Sequence, residues 1–188
     1  SEMCIRDRYE QLVNSDFVEQ AGHRRIIGYA SNTSSHSIEI NYADSVQQEL
    51  TFCVPTHGAA PEKANEIATT DLALKALGVE PEIGAEVPLE FELRGKTYHY
   101  DMVLSGWWEA SNDSVSVATV SEQFIKENPD VVQNTYAVDH EMSGVTFSDV
   151  VLKNKANVQQ QLNEFVCSIG GNPEDMGADN FILASENQ

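Results

Sequence analysis

Side chains of the types that bind metal ions or carry out acid–base chemistry gather in one short stretch of this sequence. They alternate with apolar residues on both sides of a turn at residues 95–96, and they are Glu90, Glu92, His99 and Asp101. Alternating residues of a strand share one face, so the pattern predicts that these groups lie together on the polar face of a hairpin, where a divalent cation could bind. A metal site also needs rigid supporting hydrogen bonds, which nothing in this stretch indicates. We therefore interpret the face as solvated and expect no metal there.

A second cluster, Asp139-His140-Glu141, is less suited to holding an ion. Neighbouring residues on a strand point to opposite faces, so three in a row rarely reach the same cation, and we expect a loop. The sequence also contains no glycine-rich phosphate loop, no G-x-S-x-G, no H-E-x-x-H and no paired C-x-x-C. These observations predict a protein that is not an enzyme, with no catalytic residue and no cofactor.

The adjacent pair Trp107-Trp108 is the candidate for recognising a ligand or a partner. Tryptophan is enriched among the residues that dominate binding energy at protein interfaces. On a strand the two side chains would point to opposite faces. We expect one indole to pack in the core and the exposed one to be the anchor.

These residues are positioned by the best-specified element of the chain, a hairpin predicted over 86–105. Gly95-Lys96 fits a two-residue type II′ turn, because glycine takes its first position at no steric cost. Pairing outward from that turn places only apolar residues opposite one another on one face: Leu93 with Tyr98, Phe91 with Tyr100, Leu89 with Met102 and Val87 with Leu104. A slip of one residue would expose this whole face, so hydrophobic burial is expected to fix the register.

Other elements follow from periodicity and capping. Alternating and β-branched runs predict strands at residues 25–30, 37–43, 49–54, 115–120, 133–138, 145–152 and 181–184. Helical spacing predicts helices at 9–18 and 158–169. Thr70 is a good N-cap for another helix, which Gly78 ends. Thr119 and Glu122 form a capping box for a fourth, which ends before Pro129. The sum is an α+β fold with a mostly antiparallel sheet and two to four helices.

Composition and charge exclude some partners. The chain has 188 residues, of which 41% are hydrophobic, enough for a domain with a core. Its formal net charge is −19. Such a surface repels nucleic acids and anionic lipid headgroups. The first interpretation of the charge is that it only keeps the domain soluble, and the alternative is that it attracts cationic peptides. No run reaches the ~20 apolar residues of a membrane span.

The terminal residues indicate which part of the sequence forms the domain, and the cysteines limit its redox and metal chemistry. The first eight residues, SEMCIRDR, resemble the translated adapter read-through found at the edges of assembled environmental sequences, and we expect residues 1–8 to be non-native. Residues 9–188 are then one domain, expected to be a piece of a longer protein, with a lobe boundary in the turn-rich segment 55–63. Without Cys4, the cysteines are Cys53 and Cys167, which make no metal motif. They are two buried thiols or, in an oxidising compartment, a disulfide.

Residues 64–109 resemble the extracytoplasmic domain of FtsX-like/MacB-like ABC transporter permeases. The matching features are N-E-I-A at 65–68, a helix followed by L-G-V at 77–79, G-x-x-V-x-L at 84–89, and L-S-G followed by two aromatic residues at 104–108. The likeness is weaker over 110–188 and faint over 9–63. It implies a strand at 66–68, where the local pattern also allows a helix. It also implies a porter-like α+β lobe and a smaller β-rich lobe.

The resemblance further implies a non-enzymatic domain of a plasma (inner) membrane protein, on the extracytoplasmic side. Its partners would be the membrane-embedded remainder of the same permease, a cytoplasmic ABC ATPase that drives its motion, and a second copy in a dimeric transporter. Members of the family export antimicrobial peptides, lipoproteins or other amphiphiles, or signal in resistance. The acidic surface adds the hypothesis of a cationic peptide as substrate. The alternatives are a free-standing secreted binding domain and a metal-dependent enzyme.

Overall fold

The structure is a computed structural model that describes residues 18–111 and 113–153, and the backbone of Phe181–Leu183. Its contacts divide the chain into two units. The larger unit comprises residues 24–43 and 52–146, and the described parts of the smaller unit are residues 18–23, 44–51, 147–153 and 181–183. The porter-like and β-rich lobes, with a boundary at 55–63, stay a prediction.

Strands and short helices alternate irregularly along the described residues, which confirms the α+β class. The strands are β1 Val18–Tyr29, β2 Ser37–Ala43, β3 His57–Gly58, β4 Glu66–Thr70, β5 Glu86–Leu93, β6 Lys96–Trp108, β7 Val115–Val120, β8 Thr146–Leu152 and β9 Phe181–Leu183. The helices are α1 Ser45–Leu50, α2 Asp71–Ala76, α3 Glu122–Glu127 and α4 Tyr136–Asp139, with a 3₁₀ turn at Pro129–Val132. Strands predicted at 25–30, 37–43, 115–120, 145–152 and 181–184 are confirmed, although the first begins earlier, at Val18.

The sheet of the larger unit is mixed. Its strands follow the order β3-β6-β4-β7-β2-β1, and β5 pairs with β6 as a hairpin. β2 runs parallel to β7 and β4 runs parallel to β6, whereas β1–β2, β3–β6 and β4–β7 are antiparallel pairs. Parallel neighbours are joined by long connections, which alternation within a strand cannot reveal. The expectation of a mostly antiparallel sheet therefore misses these parallel pairs.

β2 is buried on both faces, although its sequence predicts one apolar and one exposed face. Ile38 and Ile40 lie in the core, but Glu39 and Asn41 are buried as well. The Glu39 carboxylate accepts hydrogen bonds from Arg24 Nη1 at 3.0 Å and from Asn41 Nδ2 at 2.8 Å. Charge-assisted hydrogen bonds of this kind offset the cost of removing a carboxylate from water, so the polar face of β2 can be covered.

The β5–β6 hairpin is confirmed, but its register differs from the predicted one by two residues. The turn residues are Arg94 and Gly95, with φ of +50° and +77°, typical of a type I′ turn whose twist matches that of the strands. Arg94 also donates from Nη2 to the Asp130 carbonyl at 3.0 Å. The pairs are Leu93 with Lys96, Phe91 with Tyr98, Leu89 with Tyr100 and Val87 with Met102. A shift of two residues keeps every side chain on its face, so the predicted apolar face is right although each predicted pair is wrong.

α2 begins and ends as the sequence predicts. Thr70 Oγ1 accepts a hydrogen bond from the Ala73 amide at 3.1 Å. Gly78 has a φ of +73°, the left-handed conformation in which helices commonly stop. The strand that the resemblance implies at 66–68 is confirmed as part of β4, and it leads directly into this N-cap.

α3 starts later than predicted, because Ser121 and not Thr119 is its N-cap. Ser121 Oγ accepts from the Phe124 amide at 3.0 Å and donates to the Lys63 carbonyl at 2.8 Å. Thr119 is still paired within β7, so the strand continues past the predicted helix start. Strand pairing therefore overrides the T-x-x-E pattern. The predicted end of the helix before Pro129 is confirmed.

Two predicted strands are wrong. Residues 49–54 begin inside α1, because Asp44 Oδ1 accepts from the Gln47 amide at 2.8 Å and caps a helix that runs to Leu50. Residues 133–138 leave the 3₁₀ turn and enter α4. Neither segment pairs with another strand in the described part of the chain, and a strand without a partner leaves its backbone groups unsatisfied.

The smaller unit contains the first residues of β1 together with α1, β8 and β9, and β8 pairs with β9 in parallel. Gln47 of α1 is buried and donates from Nε2 to Asp149 Oδ2 at 2.6 Å. The helices predicted at 9–18 and 158–169 lie outside the described residues, except Val18, which begins β1. Cys167 lies outside them too, so its pairing with Cys53 stays open.

Candidate functional site

Trp107 and Trp108 point to opposite faces of β6, as the sequence predicts. Trp108 is 5% exposed and belongs to the core. Trp107 is half-buried and stacks on the imidazole of His57, with ring centroids 3.8 Å apart and planes within 7° of parallel. Trp107 is therefore the one of the two that can present an aromatic face to a partner.

The segment 55–59 is held against the end of β6 by backbone hydrogen bonds. The Thr56 amide donates to the Trp107 carbonyl at 3.1 Å, and the Ala59 amide donates to the Ser105 carbonyl at 2.9 Å. Gly106 allows this approach, because a Cβ there would lie 2.5 Å from the Ala59 carbonyl oxygen. The pairing of β3 with β6 thus holds the His57 ring over Trp107.

Three apolar side chains that are near this stack along the chain or in space are exposed. Phe52 is 80% exposed, Ile83 50% and Val54 44%. Phe52 and Val54 precede Thr56 in the same segment, and Ile83 reaches Gly58, since a Cβ on Gly58 would lie 2.6 Å from Ile83 Cδ1. Exposed apolar side chains that form one contiguous patch mark interaction sites. Below, the Trp107 surface means Phe52, Val54, His57, Ile83 and Trp107.

Phe52 is the least favourably placed residue of this surface. Its φ of +57° lies in the left-handed region, which is an outlier for a bulky residue. Phe52 follows Thr51, the C-cap of α1. Glycine is the usual residue at the position just after a helix C-cap. The side chain thus gains little burial while its backbone is strained, and such outliers motivate a search for function.

Carboxylates lie near the Trp107 surface in space or along the chain. Glu109 Oε1 lies 3.7 Å from His57 Nε2, and both side chains are largely exposed. Glu82 precedes Ile83 and is exposed, as is Glu80. Exposed apolar side chains with carboxylates nearby suit a ligand that is both apolar and cationic.

The polar face of the hairpin brings together three of its four predicted groups. His99 Nε2 lies 3.0 Å from Asp101 Oδ1, and His99 Nδ1 lies 3.7 Å from Glu90 Oε2. Glu92 is opposite Thr97 instead, because of the two-residue difference in register. Within residues 18–111 and 113–153, no three His, Cys, Asp or Glu side chains are arranged to hold a metal ion.

Asp139, His140 and Glu141 form the end of α4 and a tight turn. The Asp139 carboxylate accepts hydrogen bonds from the Glu141 amide at 3.0 Å and from Thr135 Oγ1 at 3.0 Å. The bond from the Glu141 amide is the main reason that the pKa of Asp139 lies below its usual value. His140 adopts the left-handed conformation with φ of +58°. The expected loop is confirmed for His140 and Glu141, whereas Asp139 ends α4 and its carboxylate is engaged by the turn that follows.

A serine–histidine pair is present that sequence reasoning missed. His36 Nε2 lies 2.5 Å from Ser116 Oγ, across 80 residues of sequence that contain no motif linking them. Both side chains are buried, with relative exposures of 7% and 4%. A nucleophile must reach its substrate, so this geometry favours a structural role over catalysis.

No helix in the described part of the chain is long and apolar enough to cross a membrane. No protein-family model matches the sequence, and no curated protein matches it.

Solved structures do resemble this fold. The extracellular domain of the noncanonic ABC-type transporter YknZ from Gram-positive bacteria matches with a TM-score of 0.52 and 12% sequence identity, over 88% of this chain and 83% of that one. A domain of a protein classed as a permease, from Porphyromonas gingivalis, matches with a TM-score of 0.46 and 10% identity, over 86% of this chain and 68% of that one. The chain thus shares its fold with the extracellular domain of an ABC-type transporter.

Proposed function

We propose that this chain is the extracytoplasmic domain of an ABC transporter permease subunit. It recognises a substrate or a partner outside the membrane and relays the motion that a cytoplasmic ATPase drives, and it catalyses no reaction. The observation that carries this proposal is the similarity in fold to the YknZ extracellular domain over 88% of the chain. Fold alone does not fix function, so the N-E-I-A and L-S-G features of residues 64–109 provide separate support.

The DNA on either side of the coding region tests this proposal most directly. Apolar segments of ~20 residues before Tyr9 and after Gln188, with a P-loop ATPase gene adjacent, are the expected result. A cleavable signal sequence upstream and a stop codon soon after Gln188 would contradict it and indicate a secreted binding domain.

We further propose that the Trp107 surface recognises cationic amphiphiles, including peptides. The exposed aromatic and aliphatic side chains would bind the apolar face of such a ligand, and exposed carboxylates such as that of Glu109 would attract its positive charges. The net charge of −19 supports the same preference at longer range. Long-range attraction is screened by salt, whereas apolar contact is not, so the two contributions can be separated.

A lysine-rich amphipathic peptide, titrated into the 188-residue chain at about 0.02 M and about 0.15 M salt, tests this hypothesis. Binding should weaken as salt rises, and Phe52→Ser should weaken it at both concentrations. The matched control is Val138→Ser, which changes a side chain that is 88% exposed but lies on α4. Equal binding by the two variants would exclude the Trp107 surface without bearing on the permease assignment.

A further inference from the structure

A buried chain of hydrogen bonds joins the start of β7 to the N-terminus of α2. It runs through His36, Ser116 and Thr70, whose relative exposures are 7%, 4% and 3%. His36 Nδ1 lies 3.0 Å from the Asp113 carbonyl oxygen, and Nε2 contacts Ser116 Oγ. Ser116 Oγ contacts Thr70 Oγ1, which accepts from the Ala73 amide at 3.1 Å. The chain therefore ends on the N-cap of α2.

One arrangement of protons satisfies every member of this chain. A carbonyl oxygen only accepts, so His36 carries a proton on Nδ1, and in the neutral imidazole its Nε2 is an acceptor. Ser116 then donates to His36, and Thr70 donates to Ser116. The amide of Ala73 donates to Thr70 and completes the sequence. All the donors point the same way, and the arrangement requires a neutral imidazole.

We propose that these residues form a proton-sensitive latch on the N-terminus of α2. When Nε2 of His36 binds a proton, Ser116 can no longer donate to it and turns its hydroxyl toward Thr70. Thr70 then accepts from both Ser116 and Ala73, and its own hydroxyl proton loses its acceptor. A buried donor without a partner, together with a buried cation, favours the opened state of this region. Acid therefore loosens α2.

The charged groups on the neighbouring elements do not offset the destabilisation that a second proton on His36 would cause. Asp113 meets His36 through its backbone carbonyl, and its side chain is in an exposed residue. The Asp71 carboxylate accepts from two backbone amides, and Glu39 on β2 is bound by an arginine. Lys75 of α2 is exposed and has the same sign as a protonated imidazole. The carboxylates near the chain are thus already engaged or exposed.

The latch adjoins the strand end that carries the tryptophans. Thr70 is the last residue of β4 and pairs with Trp108 of β6. Loosening α2 would therefore disturb the edge next to the Trp107 surface. The inference itself depends only on the buried hydrogen bonds and holds whatever that surface binds.

Amide hydrogen exchange of the 188-residue chain, measured by NMR at about pH 7.5 and about pH 5, tests the latch across the range in which histidines usually titrate. The protection factors of the Ala73 and Leu74 amides should fall about tenfold or more in acid, as expected when a buried hydroxyl loses its hydrogen-bond acceptor. Amides of the β5–β6 hairpin should change much less. The loss should disappear in His36→Gln and persist in His99→Gln, the matched control for an exposed histidine.

Three results would overturn the latch. The first is no loss of α2 protection in wild type, and the second is an equal loss in wild type and His36→Gln. The third needs no variant: nitrogen chemical shifts that place the His36 proton on Nε2 at about pH 7.5 would contradict the assigned direction of the hydrogen bonds.

Discussion

Residues 50–54 and 89–93 have the same alternation, Leu-x-Phe-x-Val and Leu-x-Phe-x-Leu, but opposite fates. In the second segment Phe91 is fully buried and stacks on Tyr98 with ring centroids 5.4 Å apart. In the first, Phe52 is 80% exposed with a left-handed backbone. The difference lies in the partner strand. Residues 89–93 are joined by a two-residue turn to an antiparallel strand, whereas 50–54 follow a capped helix and precede Pro55. Alternation predicts which side chains share a face, and pairing decides whether that face is buried.

The largest expected effect is the contrast between Phe91→Ala and Phe52→Ala. Phe91→Ala removes a fully buried aromatic ring from the hydrophobic core, so the free energy of unfolding should fall by about 3–5 kcal/mol. Phe52→Ala removes a ring that water already surrounds, and the change should stay within about 0.5 kcal/mol. Urea unfolding of both variants measures the difference.

Similar losses in the two variants would mean that Phe52 packs in solution. The comparison between core hairpin and exposed segment would then fail, and so would the interpretation of the Trp107 surface as a free binding face. A normal urea slope in each variant is the control that the unfolding transition itself has not changed.

A smaller effect is expected at the start of α3, where the sequence pattern and the structure disagree. Ser121→Ala removes the side chain that accepts from the Phe124 amide, so it should cost about 1 kcal/mol. Thr119→Val keeps the shape of a buried side chain whose Oγ1 has no hydrogen-bond partner among the described residues. That change should be neutral or slightly stabilising.

Thermal or urea unfolding separates these two outcomes. If Thr119→Val costs as much as Ser121→Ala, the T-x-x-E capping box is the real start of the helix. The strand β7 would then end earlier than the structure places it.

Local signals predicted part of this molecule and long-range pairing decided the rest. Thr70 and Gly78 mark the ends of α2 in the sequence because capping depends on a few neighbouring residues. The apolar face of the hairpin was predictable from its period, but its register was not, because Arg94 in a left-handed conformation is unusual. Trp107 was an evident candidate, yet its stacking on His57 needed β3 to pair with β6.

The same limit applies to the buried chain of hydrogen bonds through His36 and Ser116, and to the parallel strands. His36 and Ser116 are 80 residues apart and belong to no motif, so only the parallel pairing of β2 with β7 brings them together. Parallel pairs are separated by long crossovers, and a period of two does not distinguish them from antiparallel ones. The resemblance over 64–109 succeeded where periodicity could not, at the strand 66–68.

The smallest and most diagnostic effect is expected for Phe52→Gly. Glycine removes the cost of the left-handed backbone but increases the freedom of the unfolded chain, so the net gain in unfolding free energy should be at most about 1 kcal/mol. Phe52→Ala, which keeps a Cβ and the strained φ, is the control and should show no gain. Binding of the lysine-rich peptide should weaken in both. Increased stability with weakened binding is typical of residues retained for function. A loss of stability in both Phe52→Gly and Phe52→Ala would show instead that the ring supports the fold, and the backbone strain would lose its functional meaning.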